Sequence, residues 1–551
     1  MPLADCSGPR LICPLFHRFS GVRVVARSLS LLLLLLPCLV IAQAAKAQAV
    51  AQQSKAGTFE RRIIGILDAG GRPEIVQDRL ARAGNGLTLT HDQTVAVEAM
   101  RALLRGRSAS KGLSLAEAEA FAARNPGSPA SSILFAEAAL AEDQPQRSAD
   151  SLISFAARAG SLVELVSPAT VSKLTDALDI AADKTRTAGL AKALLGAGWS
   201  RGSASLRSYL ALAAIRDGLA SSQLDSARRL LPVIASPASL QLIMIDNRLA
   251  PLRADVARSA GPRLERAWHE YLIRTRDDWL RRGDAVSASA YAEALKQAGR
   301  HETLVEAFLA RFMRGYNCAT DLVGRSLAAD LVDSLVKVGR WTKAEDVMRR
   351  SGGVSVPVYA AMLLERGEFA RASTLFDRSL KAAEPPNNDK EAKAMAWLQA
   401  IAACAAYRKG ERPGPAGYDA KLLDLGTRLL VDLCLDRPGE ARAALLEALD
   451  DEEDRADALR WVQPFADPPV QSAFRKDTSG RIRDLQRDPA VVAAVARHGL
   501  ILDWSLSIAA PDAAALAAGA PPPAPWQCGD DPYPQVEIDG SGSIRLPNSQ
   551  P

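Results

Sequence analysis

The sequence has few aromatic residues and almost no strand-like stretches. Aromatic side chains make up 5% of the 551 residues, and alternating β-branched patterns are nearly absent before the last twenty positions. This composition argues against folds built from strands, which need repeated runs of Val, Ile, Thr and aromatic residues. Alanine and leucine, which favour helices, are abundant. The composition predicts an all-α protein.

The motifs that carry common chemistries are absent or incomplete. The chain contains no phosphate-binding glycine loop, CxxC pair or dinucleotide fingerprint. Two His-Glu pairs, at His269 and His301, have Ile273 and Val305 where a zinc-metallopeptidase helix needs its second histidine. Residues 198–202 fit Gly-x-Ser-x-Gly, but they follow an alanine-rich helical segment instead of a strand, which predicts an inter-helix loop. We assign no catalytic residue, cofactor site or metal ligand.

The first 49 residues have the pattern of a signal peptide. Four arginines precede a largely apolar run, Leu29 to Ala42, and small-x-small sites follow, which predicts cleavage after Ala49. An uncleaved anchor in the inner membrane is the alternative, but the run has fourteen residues including Pro37, where a spanning helix needs about 20. We therefore expect an exported, periplasmic protein, which contacts a membrane only if the leader stays attached.

Export changes the interpretation of charge. The formal net charge of +5 falls to +1 without the leader, which holds five of the 68 basic and one of the 63 acidic residues. A nucleic-acid partner is therefore not expected. The acidic run Asp450 to Asp454 lacks the alternating oxygen ligands and the glycine of a calcium loop, so a solvated helix start is favoured over a calcium site.

Four cysteines follow the leader, namely Cys318, Cys404, Cys434 and Cys528. An even number in an oxidising compartment permits disulfides. The predicted helices 393–409 and 421–435 place Cys404 about 8 Å and Cys434 about 20 Å from their connection. That offset favours buried free thiols over a bridge between these two residues.

Residues 358–385 show the clearest structural pattern in the sequence. Apolar residues recur there at helical spacing on two short segments, with Gly367 at the turn between them. Ala360 and Ala372, twelve residues apart, let two helix axes approach closely, and Phe376 fills the space beside the crossing. The unit therefore predicts an antiparallel helix hairpin.

This order of residues resembles the tetratricopeptide repeat. A second copy carries Gly339 and Ala344, so that Ala344 and Ala372 are 28 residues apart, and a third carries Gly299, with Leu304 in place of the small residue. The family period is about 34 residues, so the copies are shortened and degenerate. The resemblance implies helix hairpins stacked in a right-handed solenoid; an irregular helical bundle is the alternative.

The chain divides on these patterns into four parts. The leader (1–49) is followed by an N-terminal helical repeat region (57–235) and a C-terminal one (236–504), whose best units span 320–385. Pro-containing interruptions between 236 and 261 suggest two repeat arrays. Residues 505–551 are an Ala/Pro-rich linker and a tail that alternates around Asp-Gly-Ser-Gly, as a β-hairpin does.

The favoured function is a non-enzymatic scaffold or adaptor that binds a protein or peptide partner in the cell envelope, in assembly, secretion, polysaccharide export or motility. The resemblance implies that the first helix of each pair lines a groove, here at 291–297, 331–337 and 359–366. Arg366 and Lys337 are the partner-binding candidates.

The alternative is a glycan-processing or hydrolytic envelope enzyme on a helical toroid. Such an enzyme needs clustered carboxylates beside sugar-stacking aromatics, and Glu270 with Trp268 and Trp279 is the nearest approach. The two tryptophans are eleven residues apart and fall on one helix face, as core residues do. A closed ring with clustered carboxylates would favour the enzyme, and an open superhelix would favour the scaffold.

Overall fold

A computed structural model describes most of the chain after the leader. The described residues are 59–67, 73–83, 88–108, 113–283, 285–315, 322–350, 356–411, 417–465, 467, 470–505, 537–538 and 544–545. The predicted signal peptide and nearly all of the Ala/Pro-rich linker lie outside these residues. The chain forms two compact units, Met1–Ser167 and Pro168–Pro551, each described by itself below.

The first unit is helical throughout its described part. Its helices are α1 (59–67), α2 (Pro73–Arg82), α3 (His91–Ser108), α4 (Leu115–Arg124), α5 (Pro129–Ala141) and α6 (Pro145–Ala156), followed by a 3₁₀ helix at Gly160–Leu165. Each helix from α2 to α6 packs against a neighbour in sequence or the next but one.

The second unit continues the same architecture. Its helices are α7 (Pro168–Ile180), α8 (Lys184–Gly196), α9 (Ala204–Ala220), α10 (Leu224–Leu230), α11 (Pro237–Ile245), α12 (Arg253–Ala260), α13 (Glu265–Arg282), α14 (Ala285–Gln297), α15 (His301–Gly315), α16 (Leu322–Lys337), α17 (Trp341–Arg350), α18 (Val356–Arg366), α19 (Phe369–Ala382), α20 (Asp389–Arg408), α21 (Leu425–Cys434), α22 (Pro438–Asp450), α23 (Arg455–Trp461), α24 (Ala473–Gln486) and α25 (Pro489–His498). Short 3₁₀ helices lie at Leu231–Val233, Asn247–Leu252 and Ala420–Leu422. The predicted all-α class is confirmed.

The only strands among the described residues lie in the tail. Strand β1 (Glu537–Ile538) pairs antiparallel with β2 (Ile544–Arg545), with Ile538 opposite Ile544. The pairing agrees with the predicted hairpin, whose turn lies outside the described residues.

One type of turn ends most of the first helices. At Gly367 the backbone has a φ of 81°, its N–H donates to the Leu364 carbonyl, and the N–H of Glu368 donates to the Leu363 carbonyl. This is the Schellman arrangement, which satisfies carbonyls that the helix end would leave unpaired. The same pair of bonds and a positive φ occur at nine positions: Asp143, Ala182, Gly198, Ser222, Gly299, Gly339, Gly367, Gly410 and Asp436.

Seven of these turns join antiparallel helix pairs in the described part of the chain, α5/α6, α7/α8, α9/α10, α14/α15, α16/α17, α18/α19 and α21/α22. In every pair two buried residues stand twelve apart across the turn, as predicted for Ala360 and Ala372. The pairs are Ala136/Ser148, Thr175/Thr187, Ile215/Ala227, Ala292/Leu304, Val332/Ala344, Ala360/Ala372 and Leu429/Ala441. The second member is small in six of the seven, so the two helix axes can lie close together.

The repeat length departs further from the family than the sequence indicated. The turns at 182 and 222 are 40 residues apart, as are those at 299 and 339, whereas 339 and 367 are 28 apart. Neither spacing is the 34-residue period of tetratricopeptide repeats. The hairpins therefore vary in length on both sides of that period.

The apolar core of the second unit is continuous across the predicted interruption at 236–261. Leu240, Leu249 and Val256 belong to the same buried cluster as Ile215 before them and Trp268 after them. The long helix after this segment, α13, begins at Glu265 and no earlier. The cause is Leu264, which is fully buried and has a φ of 58°, outside the helical region.

The C-terminal part of this unit contacts residues from the middle of its sequence. The Leu500 N–H donates to the Ile245 carbonyl (3.0 Å), and Asp246 forms a β-bridge with Gly499. Ile245 joins the cluster that holds Leu459 and Val495, from α23 and α25. Residues far apart in sequence therefore share one core, which contacts between successive hairpins alone would not produce.

Cys404 and Cys434 form a disulfide, so the expectation of free thiols is wrong for this pair. Their Cα atoms are 5.7 Å apart, and both residues are buried. The predicted offset is smaller because α21 begins at Leu425 and not at 421, so four fewer residues separate Cys434 from the start of its helix. The closed loop of 30 residues contributes roughly 3 to 4 kcal/mol in the chain-entropy model. Cys318 and Cys528 lie outside the described residues.

Exchanging residues at two left-handed turns should shift stability in opposite directions. Gly367→Ala places a side chain where the nearest atom is 3.9 Å away, so its cost, about 1 kcal/mol, is conformational. Ala182→Gly relieves the same strain at an exposed turn and should stabilise by a similar amount. The free energy of unfolding in denaturant measures both, and shifts of the same sign would contradict the assignment of these turns.

Candidate functional site

One segment of the second unit contacts four consecutive turns, and we call the surface that these turns form the turn edge. They are the turns at Gly339, Gly367, Gly410 and Asp436, each with a positive φ and the two bonds described above. The segment that contacts all four is 470–486, which contains α24. The turn edge is thus the surface on which this segment lies.

The segment contacts the turns in sequence order. The Val470 N–H donates to the Lys337 carbonyl (3.3 Å), and the Val470 side chain lies so close to Gly339 that a Cβ there would be 3.1 Å from Cγ1. Next, the Arg475 guanidinium donates to the Glu365 carboxylate (2.8 Å), two residues before Gly367. The segment therefore crosses the hairpins in series and does not extend any one of them.

The second half of the crossing is also polar. The Arg408 guanidinium, two residues before Gly410, donates to the Asp477 carboxylate (2.8 Å). One helical turn later, Arg481 donates to the Asp436 carboxylate and to the Leu433 carbonyl. The bond to Asp436 holds the pKa of Arg481 above its usual range. Each turn thus offers the segment an ion pair or a backbone group.

One aromatic side chain accompanies these polar contacts. Phe474 meets the Phe369 ring edge-on, with centroids 5.7 Å apart, and the Arg408 guanidinium lies 5.3 Å from the centroid of the Phe474 ring. Both arrangements suit the ring quadrupole, which is negative on the face and positive at the edge. Phe474 is the apolar anchor of an otherwise charged contact.

The sequence placed this segment in the helical region 236–504 but did not reveal its contacts with the turns. Three of its contacting residues, Phe474, Asp477 and Arg481, follow with the buried Thr478 the spacing i, i+3, i+4, i+7, which is that of a single helix face. Only one of the four is apolar, so a search for apolar periodicity passes over them. The signal that could have found them is the alternation of opposite charges at that spacing.

The two residues predicted to bind a partner both lie at the turn edge. Lys337 ends α16 and Arg366 ends α18. The Lys337 ammonium pairs with Asp333 (2.8 Å), and the Arg366 guanidinium pairs with Glu345 and Glu368 (both 2.9 Å). Their side chains are 26% and 33% exposed. Lys337 thus pairs within its own helix, whereas Arg366 pairs both within its own hairpin and with α17 of the preceding hairpin, and both side chains remain partly accessible to solvent.

A partly buried polar cluster connects α14, α15 and α16. The Lys296 ammonium contacts the carboxylates of Asp330 (2.7 Å) and Glu293 (2.6 Å). His301 Nδ1 lies 3.2 Å from the Ser334 hydroxyl. Burial, with a contribution from Lys337, lowers the pKa of His301 to about 4, so the imidazole is neutral at pH 7.

This Ser–His contact does not form a hydrolase site. The Ser334 side chain is fully buried, so no substrate carbonyl can reach its oxygen. An imidazole with so low a pKa is also a weak general base at neutral pH. The contact satisfies two buried polar groups between α15 and α16.

The other residues with a possible chemical role are likewise structural. Residues 198–202 lie between α8 and α9, so the predicted inter-helix loop is confirmed. Trp268 and Trp279 are buried in the core, and Trp279 stacks on Tyr291 with centroids 5.6 Å apart. Glu270 is on the surface. The described part of the chain contains no group of three His, Cys, Asp or Glu side chains arranged to hold a metal ion.

An open groove of about 600 Å³ lies between α19 and α20. Ala402, Ala403 and Ala406 form its apolar wall, and Asp377 and Glu384 contribute acidic groups. Among the described helices, none combines the length and apolarity that crossing a membrane requires.

The fold and these contacts define a class, an all-α protein of helix hairpins in which a helix crosses a row of hairpin turns. Comparison with protein-family models, curated proteins and solved structures gives no match. The resemblance to tetratricopeptide repeats therefore rests on the residues and on the hairpin geometry.

The His301–Ser334 contact should make stability depend on pH. The lowered pKa means that the unfolded chain, with an ordinary histidine near 6.5, binds the proton more tightly than the folded chain. Stability from this residue is therefore complete above about pH 6.5. It declines as the pH falls toward 4, by about 1.4 kcal/mol for each pH unit between the unfolded and folded pKa values.

The variant His301→Phe/Ser334→Ala removes the titrating group and its partner together. Compared with this variant, the wild-type chain should lose free energy of unfolding as the pH falls from 7 to 4.5. Urea unfolding at several pH values measures the difference. Parallel pH profiles for the two chains would show that His301 does not titrate with a lowered pKa.

Proposed function

We propose that the protein is an exported, non-enzymatic scaffold that binds a protein partner through its row of helix hairpins in a cell-envelope process. The observation that carries the proposal is the crossing of the turn edge by α24. The hairpins bind α24 through charged pairs and a single aromatic anchor. The same surface groups could bind a helix of a partner protein. Helix-in-groove recognition is a recurring way for repeat proteins to bind partners.

A tetratricopeptide-like solenoid is the arrangement we propose for the hairpins. The first helices α14, α16 and α18 contact each other in series, α15 packs on α16, the first helix of the next pair, and α19 packs on α20. Such stacking produces an extended binding surface. The contact of Leu500 with Ile245 suggests that the C-terminal helices close this array on α11.

The residues that could form the site of the alternative enzyme do not lie together on the surface. Closure of the array is the shape expected of a toroidal enzyme, but the aromatics that such a site needs, Trp268 and Trp279, are buried, and Glu270 is separated from them on the surface. We therefore favour the scaffold.

The disulfide supports export. Bridges between buried cysteines persist in oxidising compartments such as the periplasm and are rare in the cytosol. The bond between Cys404 and Cys434 agrees with the N-terminal leader in favouring that compartment. Retention of that leader as an inner-membrane anchor facing the periplasm is the alternative localisation.

Partner capture tests the proposal. The tagged chain and the variant Arg366→Glu/Lys337→Glu are crosslinked in native envelopes, and the recovered proteins are quantified by mass spectrometry. Because both substitutions reverse charge at the turn edge, we expect recovery of a specific partner to fall about tenfold, equivalent to about 1.4 kcal/mol.

The control is Arg281→Glu/Lys192→Glu, which reverses one arginine and one lysine that pair with aspartates on α13 and α9. It should recover the partner as the wild-type chain does, and circular dichroism should show that both variants are folded. Absence of any specific partner, or equal loss in the control, would refute the scaffold function at this surface.

A further inference from the structure

The segment that crosses the turn edge has two halves with different anchoring. In residues 470–481 the only buried side chain is Thr478, and Val470 is 43% exposed. In residues 482–486, Leu485 is buried in the cluster that contains Leu429 and Val491. The second half is fixed by that cluster through Leu485, whereas the first half reaches the core only through the half-buried Phe474 ring and is otherwise held by the turn edge.

The contacts of the first half are of a kind that can be exchanged. Its ion pairs with Glu365, Arg408 and Asp436 join side chains that are between 19% and 58% exposed. Water competes for such pairs and screens them, so each contributes little to stability. Phe474 adds one half-buried ring.

A weak point in the helix lies near the end of the first half, one residue before Arg481. Gly480 lies in the interior of α24, and a Cβ at that position would meet no atom within 4 Å. The glycine is therefore not needed to avoid a clash. Glycine inside a helix costs stability relative to alanine because it leaves the backbone more freedom once the helix unwinds. The first half can thus leave the turn edge while Leu485 stays in place.

We propose that residues 470–481 are an internal ligand of the turn edge, and that a partner's helix with the same face replaces them. That face has an aromatic residue, an acidic residue three positions later and a basic residue four positions after that, as in Phe474, Asp477 and Arg481. The inference rests on the proposed function and specifies the partner's chemistry.

A labelled peptide of residues 470–486 tests this on the full mature chain by fluorescence anisotropy. The wild-type chain holds its own helix on the edge and should bind the peptide weakly. The variant Arg475→Glu/Arg481→Glu loosens that helix, so it should bind at least about tenfold more tightly. A peptide carrying Lys476→Glu, on the exposed side of the helix, is the matched control and should bind as the native peptide does.

Charge exchange then tests the site. In the otherwise native chain, Glu365→Arg and Asp436→Arg repel Arg475 and Arg481 of its own helix, and this variant should not bind the native peptide. A peptide carrying Arg475→Glu and Arg481→Glu should bind it. Separately, Gly480→Ala in the otherwise native chain stiffens α24 and should weaken peptide binding about fivefold.

Equal binding to the wild-type and loosened chains, or no rescue by the exchanged peptide, would overturn the internal ligand. That failure is separable from failure of the scaffold. A partner captured from envelopes in an Arg366-dependent way, together with a peptide that does not bind, would leave the scaffold intact and refute only the ligand role of 470–481.

Discussion

The left-handed turn that ends each first helix is the constraint on which the hairpins depend. One residue with positive φ lets two N–H groups reach back to carbonyls at the helix end, and the chain reverses within about three residues. The reversal sets two helices antiparallel, and a small buried residue twelve positions on, such as Ala372 opposite Ala360, lets them approach. Because the same kind of turn is repeated, successive hairpins present similar turns, and four of these form the turn edge that α24 crosses.

Part of this could be predicted from the sequence. Gly299, Gly339 and Gly367 indicated three turns because glycine adopts a positive φ at the lowest steric cost. The turns at Ala182, Ser222 and Asp436 use the same backbone without glycine, so composition does not reveal them. The bond between Cys404 and Cys434 was also hidden, because helix offset depends on where α21 starts, and sequence periodicity locates such boundaries only within a few residues.

Partner binding by Arg366 and Lys337 stays a prediction, but the structure shows where these two residues lie. Arg366 and Lys337 do lie at the turn edge, because the ends of the first helices are brought there by the hairpin turns. The occupant of the edge was missed, since the face of α24 that lies on it carries Asp477, Thr478 and Arg481 beside a single Phe474. A polar contact between a helix and the turn edge is hardly visible in the hydrophobic pattern of the sequence. The same polar character would allow another helix to replace the first.

The first half of α24, on this view, is held by the turn edge and can leave it while the core stays folded. Hydrogen exchange of the native chain, followed by mass spectrometry, measures this directly. We predict that amides of 473–481 exchange at least about tenfold faster than those of 482–486 and of α22, and that Gly480→Ala slows them. Uniform protection along α24, equal to that of α22, would contradict it.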